Sequence, residues 1–316
     1  MKIVVKGLQG LLAVLLLTMA GLFYMGWAPD LPLEYLKSRW APAPSQFIEL
    51  QGMAVHVRDE GPRDDPAPLL LLHGTSASLH TWDGWTEALK GERRVIRMDL
   101  PGFGLTGPFP QGDYRMPSYS AFIVALLDQL KVERVVLAGN SLGGQIAWET
   151  ALAYPQRVSR LILVDSAGFP LQSTSVPIGF QLARIPLLAP VIGKVLPRPM
   201  IEDSLRNVYG DPSLVTKQLV DRYFELTLRA GNRESLVQRF SQRDDPSLNQ
   251  ARISQINIPT LIIWGGRDGL IPPVHAEQFK AAIKGSQLEM FETLGHVPQE
   301  EGAPATAEVV KRFLAE

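Results

Sequence analysis

Short apolar runs alternate with helical patterns along this chain, and that alternation restricts its fold more than any other feature. The runs occupy residues 53–57, 69–72, 94–98, 134–138, 161–164, 260–264 and 287–291. Most show no polar–apolar alternation and end at Gly, Pro or Asp, as strands buried on both faces do. Helical patterns lie between them at residues 82–89, 118–130, 143–154, 273–283 and 303–313. Strand alternating with helix predicts an α/β fold with a mostly parallel, doubly wound sheet.

The alternation breaks once. Residues 170–257 hold helical stretches, such as 212–228 capped by Asp211, and no convincing strand. They are expected to form a helical cap inserted into a core built from residues 46–169 and 258–316. Within the cap, residues 176–197 carry only Arg184 and Lys194 as charges, with Pro177, Pro186, Pro190 and Pro197 spaced among apolar side chains. Four prolines preclude a continuous spanning helix. The stretch reads either as a cap underside packed on the core or as an apolar mouth for acyl chains.

Ahead of the core, residues 7–27 have only Gln9 and Thr18 as clearly polar residues, and as a helix they would span roughly 31 Å. Lys2 and Lys6 precede the stretch, and Phe23, Tyr24 and Trp27 stand near its far end. Residues 1–27 are therefore expected to be a single transmembrane anchor. Its positive flank would face the cytoplasm and the catalytic domain would be periplasmic or otherwise extracytoplasmic. A cleaved signal peptide is the competing reading. Residues 28–45, with four prolines around a short amphiphilic piece, read as a linker near the membrane surface.

Composition excludes several functions. Lys plus Arg number 31 against 32 Asp plus Glu, which gives no electrostatic basis for gripping nucleic acid. The chain has no cysteine, so disulfide scaffolds, zinc ribbons, iron–sulfur clusters and thiol nucleophiles are excluded. Neither His-Glu-x-x-His nor Gly-x-x-x-x-Gly-Lys-Ser/Thr occurs, and no metal or cofactor is expected.

Chemistry concentrates just after the apolar runs. Residues 134–138 lead into Gly139-Asn140-Ser141-Leu142-Gly143-Gly144 and then a helical pattern. Small residues two before and two after the serine allow a sharp strand-to-helix turn that lifts its hydroxyl above the sheet. The same turn puts the Leu142 N–H at a helix N-terminus, facing any oxyanion that forms. Leu72-His73-Gly74-Thr75 ends another run, where the Thr75 N–H is placed as a second oxyanion donor and His73 as scaffolding. Asp268 follows residues 260–264, and His296 follows residues 287–291. A carboxylate that fixes an imidazole tautomer and an imidazole that takes the serine proton are what an alcohol nucleophile needs near neutral pH. Asp165, after residues 161–164, is an alternative position for the acid, and Asp99 reads as a brace for its loop.

With His73-Gly74, Asp99-Leu100-Pro101-Gly102-Phe103-Gly104, the Ser141 elbow, Gly266-Arg267-Asp268 and Gly295-His296 all present, residues 46–316 resemble the α/β-hydrolase superfamily of the cap-domain type. The resemblance implies an eight-stranded sheet with the cap after strand 6. It also implies Ser141 as nucleophile, His296 as base, Asp268 as orienting acid, and the Thr75 and Leu142 N–H groups as oxyanion hole. A serine in place of an aspartate argues against alkyl-ester chemistry on halides or epoxides. The expected reaction is hydrolysis of a small-molecule or lipid ester through an acyl-enzyme, as in the membrane-anchored esterases and monoacylglycerol lipases that the layout resembles. Hydrolysis of a carbon–carbon bond in meta-cleavage products is the alternative; there Thr75-Ser76-Ala77 departs from that group's Gly-Pro-Gly. A non-catalytic ligand receptor on the same fold is a third reading.

Overall fold

The computed structural model describes residue 21, residues 24–242 and residues 245–316. Eight strands form one sheet: β1 (Gln46–Leu50), β2 (Met53–Glu60), β3 (Leu69–Leu72), β4 (Val95–Met98), β5 (Val135–Asn140), β6 (Val158–Val164), β7 (Thr260–Gly265) and β8 (Gln287–Phe291). Their order is β1-β2-β4-β3-β5-β6-β7-β8. The first two strands pair antiparallel with each other and β2 pairs antiparallel with β4; β4 to β8 run parallel. The expected α/β-hydrolase sheet is therefore present. The half-exposed β1 leaves no strand signal in the sequence because it lacks the continuous apolar run of the central strands.

The period-two geometry of a strand divides the core into two layers. Along β3, Leu70 and Leu72 face one layer and Leu69 and Leu71 the other, all four at 0% exposure. Such complete burial stabilises by roughly 1.5–3 kcal/mol per leucine. Ahead of the sheet lies α1 (Leu33–Trp40), and three helices alternate with strands: α2 (Asp83–Leu89), α3 (Met116–Gln129) and α4 (Leu142–Ala153). Phe122, Ile123, Ile146 and Trp148 place α3 and α4 on the first layer. The second layer takes Trp85 and Leu89 of α2 with the C-terminal helix.

After β6 the chain leaves the sheet and builds the helical cap: α5 (Ile178–Ala183), α6 (Ala189–Ile192), α7 (Arg198–Val208), α8 (Lys217–Thr227), α9 (Asn232–Ser241) and α10 (Asn249–Ile253). Proline-initiated turns break residues 176–197 into short pieces, as their missing N–H groups require. The helix expected over 212–228 is shorter. Asp211 caps only a single 3₁₀ turn, and the Thr216 hydroxyl accepts the Leu219 N–H to start α8. The chain then returns to β7 and ends with α11 (Val274–Ala282), β8, α12 (Pro298–Glu301) and α13 (Ala303–Ala315). On α13, Thr306, Val309, Val310 and Phe313 form the buried stripe of a 3.6-residue period.

The expected N-terminal transmembrane helix is corrected. Among the described residues no helix is long and apolar enough to cross a membrane. Residues 7–20, 22 and 23, where most of that expectation falls, lie outside the described residues. The end of the stretch that is described docks on the cap: Trp27 bridges antiparallel to Val195, Ala28 N–H donates to the Lys194 carbonyl at 3.0 Å, and Leu196 N–H donates to the Gly26 carbonyl at 2.9 Å. These backbone groups find protein partners where the sequence suggested an interface with lipid. The expected membrane partner and extracytoplasmic location depend on that helix and are corrected with it. Residues 28–45 also pack on the body, with Leu36 and Trp40 of α1 buried beside Leu105 and Leu226. Asp30 pairs with Arg233 of α9 at 2.7 Å.

Candidate active site

The serine of the elbow stands between β5 and α4 with φ 55° and ψ −115°. That conformation is costly for a residue with a Cβ and persists only where its surroundings enforce it. The surroundings here are tight: a Cβ on Gly143 would land on the Leu72 carbonyl of β3, so only glycine lets α4 start this close to the sheet. Ser141 N–H donates to the Val164 carbonyl at 3.1 Å, which ties the elbow to β6. Leu142 opens α4, so its N–H lacks a partner one turn earlier. Thr75 lies in the loop after β3, in the wall of the same cavity as Ser141.

Asp268 and His296 come together from neighbouring loops. Oδ2 of Asp268 lies 2.6 Å from Nδ1 of His296, and Oδ1 accepts the Leu270 and Ile271 N–H groups at 2.8 and 3.0 Å. Filling one carboxylate oxygen with backbone donors leaves the other aimed at the imidazole. Both side chains are buried, while Ser141 and His296 share the lining of one cavity. The two loops touch: a Cβ on Gly265 would collide with the Gly295 carbonyl.

Two further residues, to which no sequence motif assigns a role, hold the histidine loop. Asn140 Nδ2 donates to the Val164 carbonyl at 3.1 Å and to the His296 carbonyl at 2.9 Å, joining elbow and histidine directly. Glu301 accepts the N–H groups of Gly295, Gly210 and Asp211 at 2.8, 3.0 and 2.7 Å. Asn140 occupies the variable position of the elbow motif, which gave it a place but no role. Glu301 follows His296 by five residues, yet its partners are backbone groups that leave no mark in a side-chain pattern.

His73 sits at 0% exposure, with Nδ1 on the Gly74 carbonyl at 2.8 Å and Nε2 accepting the Leu100 N–H at 2.9 Å. Burial lowers its pKa and keeps the ring neutral. Asp99 braces several segments, taking His56 Nδ1 at 2.7 Å and the Leu79 and Leu105 N–H groups at 2.7 and 2.8 Å. His80 bonds the Trp40 carbonyl and Ser78 away from the serine. Asp165 lies at the end of β6, beside Asp268, and is not bonded to His296 Nδ1.

The cavity holds about 200 Å³, many times the roughly 10–15 Å³ that a single water needs. Ser141, Asn140 and His296 supply polar lining. Beyond them the walls are apolar and come mostly from the cap, including Leu182, Val191, Val195, Ile201 and Leu205. Arg233 also lines it, but its Nη atoms are committed to the Ala28 carbonyl at 2.8 Å and to Asp30 at 2.7 Å.

A family profile described as alpha/beta hydrolase fold matches residues 67–303. The chain is 30% identical to 2-hydroxymuconate semialdehyde hydrolase from Pseudomonas sp. (strain CF600), over 87% of this chain and 95% of that protein. Among solved structures, a meta-cleavage product hydrolase from Pseudomonas fluorescens IP01 superposes with a TM-score of 0.73 at 28% identity, covering 86% of this chain and 97% of that one. A membrane phospholipase A, described as a bacterial virulence factor, superposes with a TM-score of 0.74 at 26% identity, covering 100% of this chain and 98% of that one.

Proposed function

The chain belongs to the α/β-hydrolase fold family and is an enzyme of that superfamily, and on that premise we propose that it hydrolyses carboxylic esters carrying an apolar, lipid-like acyl chain through an acyl-enzyme on Ser141. The observation that carries this reading is the cavity, in which Ser141 and His296 open into walls that are apolar along most of their extent. An acyl chain gains there from burial at about 25 cal/mol per Å² of apolar surface.

In this mechanism His296 Nε2 takes the Ser141 proton as the hydroxyl oxygen attacks the ester carbonyl. The resulting oxyanion is received by the Thr75 and Leu142 N–H groups. Asp268 holds the His296 tautomer and offsets the charge on the imidazolium. Collapse breaks the acyl–oxygen bond, and the alcohol leaves with the proton from His296. Water, deprotonated by the same imidazole, then releases the acid and restores the serine.

Carbon–carbon bond hydrolysis is the second reading. It is favoured by the 30% identity to a protein named a semialdehyde hydrolase and by the superposition on a meta-cleavage product hydrolase. A muconate-type substrate carries a carboxylate that needs a cation; Arg233 in the cavity wall has its Nη atoms on Ala28 and Asp30, while its buried Nε has no partner among the described residues. The ester reading is preferred for the apolar extent of the walls.

The experiment is hydrolysis of p-nitrophenyl esters of increasing acyl length, run beside a 2-hydroxy-6-oxodienoate, with Ser141→Ala as blank. Ser141-dependent turnover that grows toward medium or long chains is the expected result. Turnover of the dienoate alone would replace the ester reading with the second one.

A further inference from the structure

A second buried carboxyl group lies beside Asp268 and takes no part in the hydrolysis. Asp165 directly follows β6, at 0% exposure with φ 43°, a left-handed conformation that a residue bearing a Cβ keeps only under constraint. It is one of three non-glycine residues with positive φ that follow central parallel strands; the others are Ser141 and Ser76, both in the cavity wall. A side-chain atom each of Asp165, Asp268 and His296 lie within 4.8 Å of one another. Asp165 Oδ1 accepts the Gly265 N–H at 3.0 Å, whereas no N–H or O–H group among the described residues reaches Oδ2.

Two buried carboxylates at this separation cannot both be ionised cheaply. Asp268 has the better claim to the charge, because it takes two backbone N–H groups and the His296 ring while Asp165 takes one N–H. Burial first, and the negative charge of Asp268 second, hold the Asp165 carboxyl well above the usual range. The remaining titratable groups do not reverse this. Glu301 of α12 adds negative charge, and His275 of α11 is kept neutral by its own burial. The hydrogen that Oδ2 lacks from its neighbours is accounted for by its own proton.

We propose that Asp165 is a positioning residue held as the neutral acid, its Oδ2–H donated to Asp268, so that the orienting acid of the triad is itself oriented and part of its charge is shared. The proposal rests on the Ser141–His296–Asp268 reading above. The proton stays on Asp165 throughout, and no bond to substrate forms or breaks there. Sharing the charge of Asp268 makes His296 a weaker base, which extends turnover to lower pH.

The test uses the full chain and two readouts. Infrared spectroscopy at neutral pH is expected to show a protonated-carboxyl C=O band in the parent that is lost in Asp165→Asn and kept in Ser141→Ala. In pH profiles of kcat/KM for a p-nitrophenyl ester, Asp165→Ala moves the acid limb up by about one pH unit and lowers kcat/KM below it about tenfold. Asp165→Asn, which keeps a neutral N–H donor, recovers most of that loss and holds the limb in place. Absence of the band, or an acid limb moved downward by Asp165→Asn, would mean that Asp165 is ionised and would overturn the proposal. Should Asp165→Ala not fold, the band and the Asp165→Asn profile decide between these outcomes. Turnover that survives Ser141→Ala refutes the triad reading instead, and the infrared band still reports the Asp165 proton.

Discussion

The backbone N–H of His296 donates to the carbonyl of Val208, at 2.7 Å. Val208 is the last residue of α7 in the cap, so the loop that carries the imidazole is fastened to the cap as well as to the sheet. Glu301 reinforces the joint by taking Gly295 on one side and Gly210 and Asp211 on the other. Cap position and histidine position are mechanically linked, which makes the linkage testable away from the reacting atoms.

A methyl group at Gly295 would land on the Val208 carbonyl and the Gly210 amide. Gly295→Ala should push the histidine loop off the cap and lengthen the His296–Asp268 contact. Misplacement by about 1 Å costs on the order of 10²-fold in rate. Steady-state kinetics with a p-nitrophenyl ester should show that loss mainly in kcat, with the circular dichroism spectrum retained.

Asn140 Nδ2 is the donor for two buried carbonyls, those of Val164 and His296. Asn140→Ala removes this donor from both; the Val164 carbonyl keeps the Ser141 N–H, whereas the His296 carbonyl is left unsatisfied at about 1–3 kcal/mol. The expected outcome is a lower Tm together with a kcat reduced about tenfold, the loop being less well positioned. Asn140→Asp should be worse than alanine, since a carboxylate would face two carbonyl oxygens. Unchanged kcat in both variants would show that the elbow does not hold the histidine loop.

Acid should destabilise the fold in two stages. Burial, with the positive charge of Arg222 second, lowers the His80 pKa to about 3 from an ordinary 6.5. The unfolded chain then binds a proton that the folded one refuses. The contribution of neutral His80 is complete above pH 6.5 and is lost as pH falls toward 3, on the order of a few kcal/mol in total. Burial disfavours the Asp99 carboxylate, but the charge and hydrogen bond of His56 outweigh it and hold the carboxyl far below its usual range. Its stabilisation is present above about pH 4 and is lost below that. Urea midpoints measured from pH 8 to 4 should decline below 6.5, and His80→Gln should flatten the upper part of the decline.

Removing the carboxylate of Asp30 strands a guanidinium that is 2% exposed in the cavity wall. Asp30 is itself partly exposed, so the cost is screened to about 1–2 kcal/mol. Asp30→Ala should lower Tm by a few degrees and raise KM for long-chain esters more than for acetate, because Arg233 then competes for space and solvation in the apolar lining. Equal effects on all chain lengths would separate the Asp30–Arg233 pair from the acyl pocket.

Elements whose cause is local are legible from the order of residues. Four consecutive leucines bounded by Pro and His-Gly fit a strand buried on both faces, and Gly-x-Ser-x-Gly after such a strand fits a turn too tight for any Cβ at the glycines. The parallel sheet, the cap after β6, and the positions of Ser141, Asp268 and His296 after their strands were legible for that reason. Tertiary structure decided what depends on atoms far apart in the chain. Nothing local shows that Asn140 and Val208 hold the His296 backbone, that Glu301 serves three amides, or that Asp165 rests against Asp268 with one oxygen lacking a donor. The stretch over residues 7–27 makes the same point from the other side. An apolar run states only that water is avoided; at residues 26–28 the partners are the cap backbone around Val195. Hydropathy fixes what a segment leaves, and long-range packing selects what it meets.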